Sequence, residues 1–194
     1  TNGLLRLWGI SNWKEKRVEL KATFCGHMNE IKTTNVMYSS SIMISIDQKR
    51  QVFQWDLCSG MFIRRLGTDI KNIAISQLEG NIALLKLDNT LYLKNINGDT
   101  YWSGKIPNIG DLEVTCLDFF DFTNLEQGFA KHRYWEEKEI LIVGTSDCKL
   151  RFYEFGVDFS NMSWTVTPVC YVSVHSPVLA VGNYGTRIND ARIL

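Results

Sequence analysis

Short apolar runs separated by turn-forming residues make up most of this chain, and none of them shows the 3.6-residue period of an amphipathic helix. In the clearest stretch, residues 25–66, runs rich in β-branched and aromatic residues cover 31–38, 42–46, 52–57 and 61–66. Such runs are typical of β-strands, and the polar and glycine residues between them are typical of tight turns. The pattern therefore predicts four consecutive strands here.

The same four-strand unit recurs along the chain. Lining up the third strand of each copy (LLRLWG, QVFQWD, TLYLKN, KLRFYE) places Trp8, Trp55, Lys94 and Tyr153 in register, at steps of 47, 39 and 59 residues. Repetition at roughly this period indicates one supersecondary unit that buries its faces against its neighbours. We place the copies at about residues 1–24, 25–69, 70–110, 111–175 and 176–194.

The fourth copy differs from the others by a long polar insertion, residues 123–139, before its second strand. After its third strand we predict a loop over residues 156–161 and an outer strand over 169–174. In the first copy the segment 11–19 is polar and basic and is predicted to be a loop.

Paired marker residues bracket the second copy, which opens on Gly26-His27 and closes its third strand on Trp55-Asp56. Four strands between such pairs are the signature of a WD40 propeller blade. In these blades a His, a Ser or Thr, an Asp and the Trp form a buried hydrogen-bond relay. His27, Ser45 and Trp55 fit three of its places. Lys49 stands where the Asp is expected, and Asp47 is the candidate substitute.

The other copies retain only parts of the relay. Asp88 in the third copy and Asp147 in the fourth stand at the Asp position, without the hydroxyl and Trp partners. We interpret all these residues as structural, because catalysis would need a nucleophile, a base and an orienting group in one cleft. The histidines show no spacing that pairs them with each other or with an acid.

The fold class predicted from these repeats is all-β, a partial WD40-type β-propeller. Three fairly complete four-stranded blades are flanked by further strands. Because propellers close with about 4–8 blades, we expect the chain to be a fragment of a larger propeller.

Composition argues against several classes of function, although it leaves room for a local charged patch. Lys and Arg total 21 and Asp and Glu total 21, so no overall field favours nucleic acid or an anionic membrane. The five cysteines include no C-x-x-C pair, which favours small buried hydrophobic residues in a reducing compartment over disulfides or a zinc site. There is no phosphate-binding Gly-rich loop and no membrane-spanning apolar run. We therefore predict no enzyme activity and no cofactor or metal.

The insertion is the strongest candidate for contact with a partner. Its sequence, TNLEQGFAKHRYWEEKE, places Phe129, Tyr134 and Trp135 beside Arg133. Aromatic residues and Arg are enriched at the energetic centres of protein interfaces. The alternative is a solvated loop whose aromatic residues pack back onto the blade.

Four segments extend the resemblance to a particular family: IMISIDQKRQVFQWDLCSGMFIRRL, IKNIAISQLEGNIALL, TLYLKNINGD and IVGTSDCKLRFY. They resemble the C-terminal WD40 propeller of BEACH-domain proteins (beige, neurobeachin and relatives), which follows PH-like and BEACH domains. The substitutions at Lys49, Lys94 and Tyr153 indicate a divergent, fungal member. Residues after Ser176 do not follow the family.

The resemblance implies a non-enzymatic scaffold that acts in vesicle and membrane trafficking and in protein sorting. Its partners would be other proteins, bound through rim loops, and the adjacent BEACH and PH-like domains of the same chain. Nucleic acid would not be a partner. The protein would be cytoplasmic and only peripherally or indirectly associated with membranes. The alternative is a propeller that recruits substrates to a ubiquitin ligase or serves another multiprotein complex, and an upstream F-box rather than a BEACH domain would identify it.

Overall fold

The computed structural model describes residues 3–12, 14, 17–77, 79–120, 139–182 and 192–193, and every regular element in these ranges is a β-strand. The strands are β1 Leu5–Asn12, β2 Arg17–Phe24, β3 Ile31–Met37, β4 Ile42–Asp47, β5 Val52–Asp56, β6 Phe62–Gly67, β7 Ile70–Ile75, β8 Ile82–Lys86, β9 Thr90–Lys94, β10 Thr100–Lys105, β11 Val114–Phe120, β12 Ile140–Thr145, β13 Lys149–Asp158, β14 Ser163–Ser173, β15 Val181–Gly182 and β16 Arg192–Ile193. The predicted all-β class is confirmed.

The chain divides into two compact units, Thr1–Ile73 and Ala74–Leu194. The first unit holds the pair β1-β2 and the four-stranded sheet β3-β4-β5-β6. β7 crosses the boundary and is the last strand of the sheet β10-β9-β8-β7. The second unit also holds the sheet β11-β12-β13-β14 and the pair β15-β16. Strand order follows chain order in each four-stranded sheet, so each is a meander.

Strands in the middle of the sheets are buried on both faces. In β4 every residue from Met43 to Asp47 is buried, and in β12 all of Ile140–Thr145 is buried. A strand covered on one face only would alternate between buried and exposed positions. The continuous apolar runs in the sequence therefore correspond to strands with packed side chains on either side.

Each unit has its own apolar core. In the first unit Phe24, Met43 and Trp55 form a buried cluster against which Leu5 and Phe53 pack. The larger core of the second unit joins β8 and β9 to β11, β12 and β13. Its buried members are Ala74, Ala83, Leu85, Leu91, Leu93, Ile106, Ile109, Val114, Leu117, Phe119, Leu141, Val143, Tyr153 and Val166.

Two predicted loops are too long, because the flanking strands extend into both segments. β1 reaches Asn12 and β2 begins at Arg17, although residues 11–19 were expected to be a loop. β13 continues to Asp158, and β14 begins at Ser163 rather than near residue 169. These segments lack the apolar run from which a strand is predicted. Their strands form nevertheless, because backbone pairing across a hairpin does not require buried side chains.

The cysteines differ from the sequence prediction in their exposure. Cys116 is buried, but Cys25, Cys58 and Cys170 are exposed. Cys25 follows β2, Cys58 lies in the turn after β5, and Cys170 lies on the outer strand β14. These are positions at the ends or edges of sheets, where the neighbouring strands do not cover the side chain.

Candidate functional site

The structure brings four of the sequence-predicted residues together inside the first unit. His27 Nε2 lies 2.7 Å from Ser45 Oγ, and His27 Nδ1 lies 3.2 Å from Asp47 Oδ2. Trp55 Nε1 donates to the same Ser45 Oγ at 2.7 Å. Ser45 and Asp47 are fully buried, and Trp55 and His27 retain only 1% and 5% exposure. We refer to these four residues as the relay.

Only one arrangement of protons satisfies every group in the relay. Trp55 can only donate, so its N–H occupies an acceptor site on Ser45 Oγ. The single hydroxyl proton of Ser45 then goes to His27 Nε2, which must accept it. His27 therefore carries its proton on Nδ1 and donates to the carboxylate of Asp47. Each member has a partner, which is the condition under which a buried polar network stabilises a fold.

Asp47 also receives hydrogen bonds from outside the relay. The Gln51 backbone N–H donates to Oδ1 at 3.0 Å, and Asn29 Nδ2 donates to Oδ2 at 3.3 Å. Burial alone would raise the pKa of Asp47, but the hydrogen bonds from Gln51, Asn29 and His27 together lower it below its ordinary value. The expected Asp position is held by Lys49, so an acid two residues earlier, at the end of β4, supplies the negative charge.

Burial lowers the pKa of His27 below its ordinary value, although Asp47 opposes this effect. The imidazole is therefore neutral in the folded protein at neutral pH. When the pH falls below about 6.5, the unfolded state gains a proton that the folded state does not take up. The free energy of unfolding must then decrease.

We expect the first unit to lose up to about 2 kcal/mol of stability between pH 6.5 and 5, because one proton is worth about 1.4 kcal/mol per pH unit. Hydrogen exchange of β4 and β5 in the intact protein, corrected for the intrinsic effect of pH, measures this loss. The exposed His175 provides the control. A His175→Gln variant should keep the full pH dependence, and a flat profile in the unaltered protein would contradict the expectation.

Aromatic rings enclose the relay. The imidazole of His27 stacks on Phe53, with ring centroids 4.2 Å apart. Phe24 and Phe62 meet the Trp55 indole edge to face, at centroid distances of 5.9 and 5.6 Å. Gly26 is required by this packing, since a Cβ there would lie 2.8 Å from the Trp55 ring. The Gly26-His27 pair therefore serves two purposes. The glycine makes room for the Trp55 indole, and the histidine forms a hydrogen bond with Ser45, which also accepts from that indole.

Asp147 lies in a different arrangement in the second unit. Both of its carboxylate oxygens accept from Arg151, at 2.8 and 2.7 Å, and Thr145 Oγ1 donates to it at 2.5 Å. The Arg151 guanidinium holds the pKa of Asp147 well below its usual range. Tyr153, which stands at the Trp position, is fully buried and donates its hydroxyl to the Pro107 carbonyl at 2.8 Å. An ion pair and a tyrosine hydrogen bond thus replace the relay in this sheet.

Asp88 lies in an exposed turn, away from any buried relay among the described residues. Its side chain is 63% exposed, and Oδ1 accepts from the Thr90 backbone N–H at 3.0 Å. Lys94, at the Trp position of this sheet, donates to the Gly98 carbonyl and to Thr100 Oγ1. The sheet of β7–β10 is therefore held together by apolar packing, and hydrogen bonds cap the turns at its ends.

Glu139 is the last residue of the predicted polar insertion, yet it is buried, with an exposure of only 7%. Asn81 Nδ2 donates to Oε2 at 2.6 Å, the Glu79 N–H donates to Oε1 at 3.2 Å, and Ser76 also donates to Oε1. Burial raises the pKa of Glu139, and the bonds from Ser76 and Asn81 offset this only in part. Glu139 therefore anchors the start of β12 to the β7–β8 turn. A lone acid in a polar run gives no sequence signal for this role.

The predicted partner residues Phe129, Arg133, Tyr134 and Trp135 lie outside the described residues. Within the described ranges, no group of three or more His, Cys, Asp or Glu side chains could hold a metal ion. No helix there is long and apolar enough to cross a membrane.

Comparison with known proteins gives two sequence relatives. The chain is 34% identical over 168 residues to Beige protein homolog 1 of Saccharomyces cerevisiae, covering 85% of this chain and 8% of that protein. It is 28% identical over 159 residues to Beige protein homolog 1 of Schizosaccharomyces pombe, covering 77% of this chain and 6% of that protein. The chain thus spans less than a tenth of the length of either relative. No protein-family model matches it.

Among solved structures, the WD40 domain of SCAP from fission yeast is similar in fold, with a TM-score of 0.56 and 14% sequence identity. The similarity covers 78% of this chain and 34% of that one. With the four-stranded meanders described above, it confirms the predicted fold class, a partial WD40-type propeller. The resemblance to beige-type proteins, drawn from the sequence alone, is confirmed by the two yeast relatives.

Proposed function

This chain is a divergent relative of the yeast beige protein homologs, built from WD40-type blades, and from that relationship we propose that it is a protein-interaction module of a larger scaffold. The observation that carries the proposal is the 34% identity over 85% of the chain to Beige protein homolog 1 of Saccharomyces cerevisiae. The scaffold acts in vesicle and membrane trafficking and in protein sorting. It is cytoplasmic and meets membranes only peripherally or through its partners.

The burial of the relay supports a non-enzymatic module. Ser45, His27 and Asp47 follow one another at hydrogen-bond distance, as the members of a hydrolytic triad do. A nucleophilic serine must meet its substrate, whereas Ser45 has no exposed surface and its oxygen already accepts from Trp55. The same geometry that could activate a hydroxyl therefore serves to hold the core of a blade.

In this proposal the rim loops bind other proteins, and the adjacent BEACH and PH-like domains of the same chain pack against the propeller. Phe129, Arg133, Tyr134 and Trp135 form the partner loop. Arg and aromatic side chains dominate the binding energy of many protein interfaces. The names of the sequence relatives favour this role over substrate recruitment to a ubiquitin ligase.

Replacing residues 123–138 by a short Gly/Ser linker in the intact protein should remove at least one partner from a quantitative affinity purification. The replacement stops before Glu139, because the hydrogen bonds of that side chain to Asn81 and Ser76 hold the start of β12. Unchanged hydrogen exchange in β12 would show that the blade remains folded. An unchanged list of partners in a folded variant would show that the insertion is passive.

A further inference from the structure

Among the residues that the structure describes, the hairpin of β13 and β14 extends further than β11 and β12 do. The last residue pair between β12 and β13 joins Ile140 and Glu154. β13 and β14 remain paired beyond that point, as far as Asp158 and Ser163. Four further residue pairs correspond to about 13 Å of strand, at 3.2–3.4 Å per residue. We call residues 158–164, at the far end of this arm, the hairpin tip.

Large apolar side chains are exposed at the hairpin tip. Phe159 is 84% exposed, Met162 is 77% exposed and Trp164 is 42% exposed. Single exposed apolar residues are ordinary on protein surfaces, but three within six consecutive residues concentrate apolar surface at one end of the arm, and we call them the tip cluster. The Trp164 ring also contacts the Tyr101 ring, with centroids 4.7 Å apart, so β10 supports the arm from one side.

Hydrogen bonds within the hairpin tip hold its conformation. Asp158 Oδ1 accepts from the Ser160 N–H at 2.9 Å and from its hydroxyl at 2.6 Å. Asn161 Oδ1 accepts from the N–H and the hydroxyl of Ser163 at 3.1 and 2.6 Å. Phe159 and Met162 therefore project from a turn that is already ordered. An ordered loop loses less conformational entropy when it binds, which favours docking.

The charge of the arm limits what can cover this cluster. Residues 154–167 include the acids Glu154 and Asp158 and no Lys, Arg or His. Hydrogen bonds from Ser160 lower the pKa of Asp158, so it is ionised at neutral pH. Cytoplasmic membrane surfaces are negatively charged and attract basic segments. An acidic, aromatic tip complements a protein surface on which basic residues edge an apolar pocket.

We propose that the hairpin tip is a docking site for a partner protein, with Phe159 and Met162 seated in an apolar pocket whose rim carries Lys or Arg. This inference rests on the proposed role of the chain as a protein-interaction module, and it assigns that role a second surface besides residues 123–138. Asp158 faces the basic rim, and Trp164 forms the edge of the contact.

The test places a photo-crosslinking phenylalanine analogue at position 159 of the intact protein in cells, and at Tyr38 as the control. Tyr38 is 80% exposed in the first unit. The segment of the partner protein that crosslinks to position 159 is identified, purified and titrated against the intact protein. Its affinity should fall at least about tenfold for the F159S/M162S double variant and be unchanged by Tyr38→Ser. It should also fall for Asp158→Lys and at high salt.

Any of four results would overturn the inference. The first is a captured segment without any basic residue, and the second is a captured segment that binds the F159S/M162S variant as tightly as the unaltered protein. The third is that vesicles of phosphatidylcholine and phosphatidylserine retain the intact protein and release that variant, which would make the tip a lipid contact. Capture through Tyr38 but none through position 159 would also reject the tip while leaving the proposed function intact. If neither position captures a protein and the insertion replacement changes no partner, the proposed function itself fails.

Discussion

Replacing Trp55 by alanine is expected to lower the free energy of unfolding of the first unit by about 3–5 kcal/mol, the range for removing large aromatic side chains from packed cores. The indole is 1% exposed and meets Phe24 and Phe62 edge to face. Its loss would leave a cavity at the centre of the cluster that joins β2 to β4 and β5. It would also remove one of the two hydrogen bonds on Ser45.

Hydrogen exchange of β4 and β5 in the intact protein measures the effect of this substitution locally. Trp8→Ala is a matched control, because Trp8 belongs to the same unit but is 54% exposed. That variant should change stability by about 1 kcal/mol or less, since surface substitutions leave little unfilled space. Equal effects at the two tryptophans would mean that Trp55 does not hold the core together.

The strands of the second copy were predictable because its middle strands are packed on both faces. The apolar runs at 42–46 and 52–57 correspond to β4, Ile42–Asp47, and β5, Val52–Asp56. Burial on both faces demands apolar residues at successive positions, and that requirement is visible in a sequence. β14 has no such signature: Ser163–Ser173 is an outer strand with mostly exposed side chains.

Polar contacts were less predictable than strands, because they depend on which side chains the turns bring together. The spacing from His27 to Trp55 indicates a relay. That Asp47 supplies its acid, although Lys49 stands at the expected acid position, follows from the end of β4 at Asp47. Glu139 gives no local signal, since its donors Ser76 and Asn81 lie about sixty residues away in the chain. Arg151 and Asp147 form an ion pair across a short turn. The repeat pattern places Asp147 at the position of a relay acid but does not indicate that Arg151 is its partner.

Replacing Ser45 by alanine should destabilise the first unit by about 2–6 kcal/mol, although it removes a single oxygen atom. Two buried groups lose their partner, the Trp55 N–H and His27 Nε2, and each unsatisfied group costs about 1–3 kcal/mol. A cavity cannot account for a loss of this size, because the volume removed is that of one atom. The effect must therefore come from the polar network.

A double-mutant cycle separates these two groups. Trp55→Phe removes the N–H, so Ser45→Ala should cost less in that background than in the unaltered protein, by about the 1–3 kcal/mol of one buried donor. Hydrogen exchange of β4 and β5 provides the free energies. An equal cost in both backgrounds would show that the bond from Trp55 Nε1 to Ser45 Oγ contributes nothing. In that case the stability of this blade would rest on His27, Asp47 and aromatic packing alone.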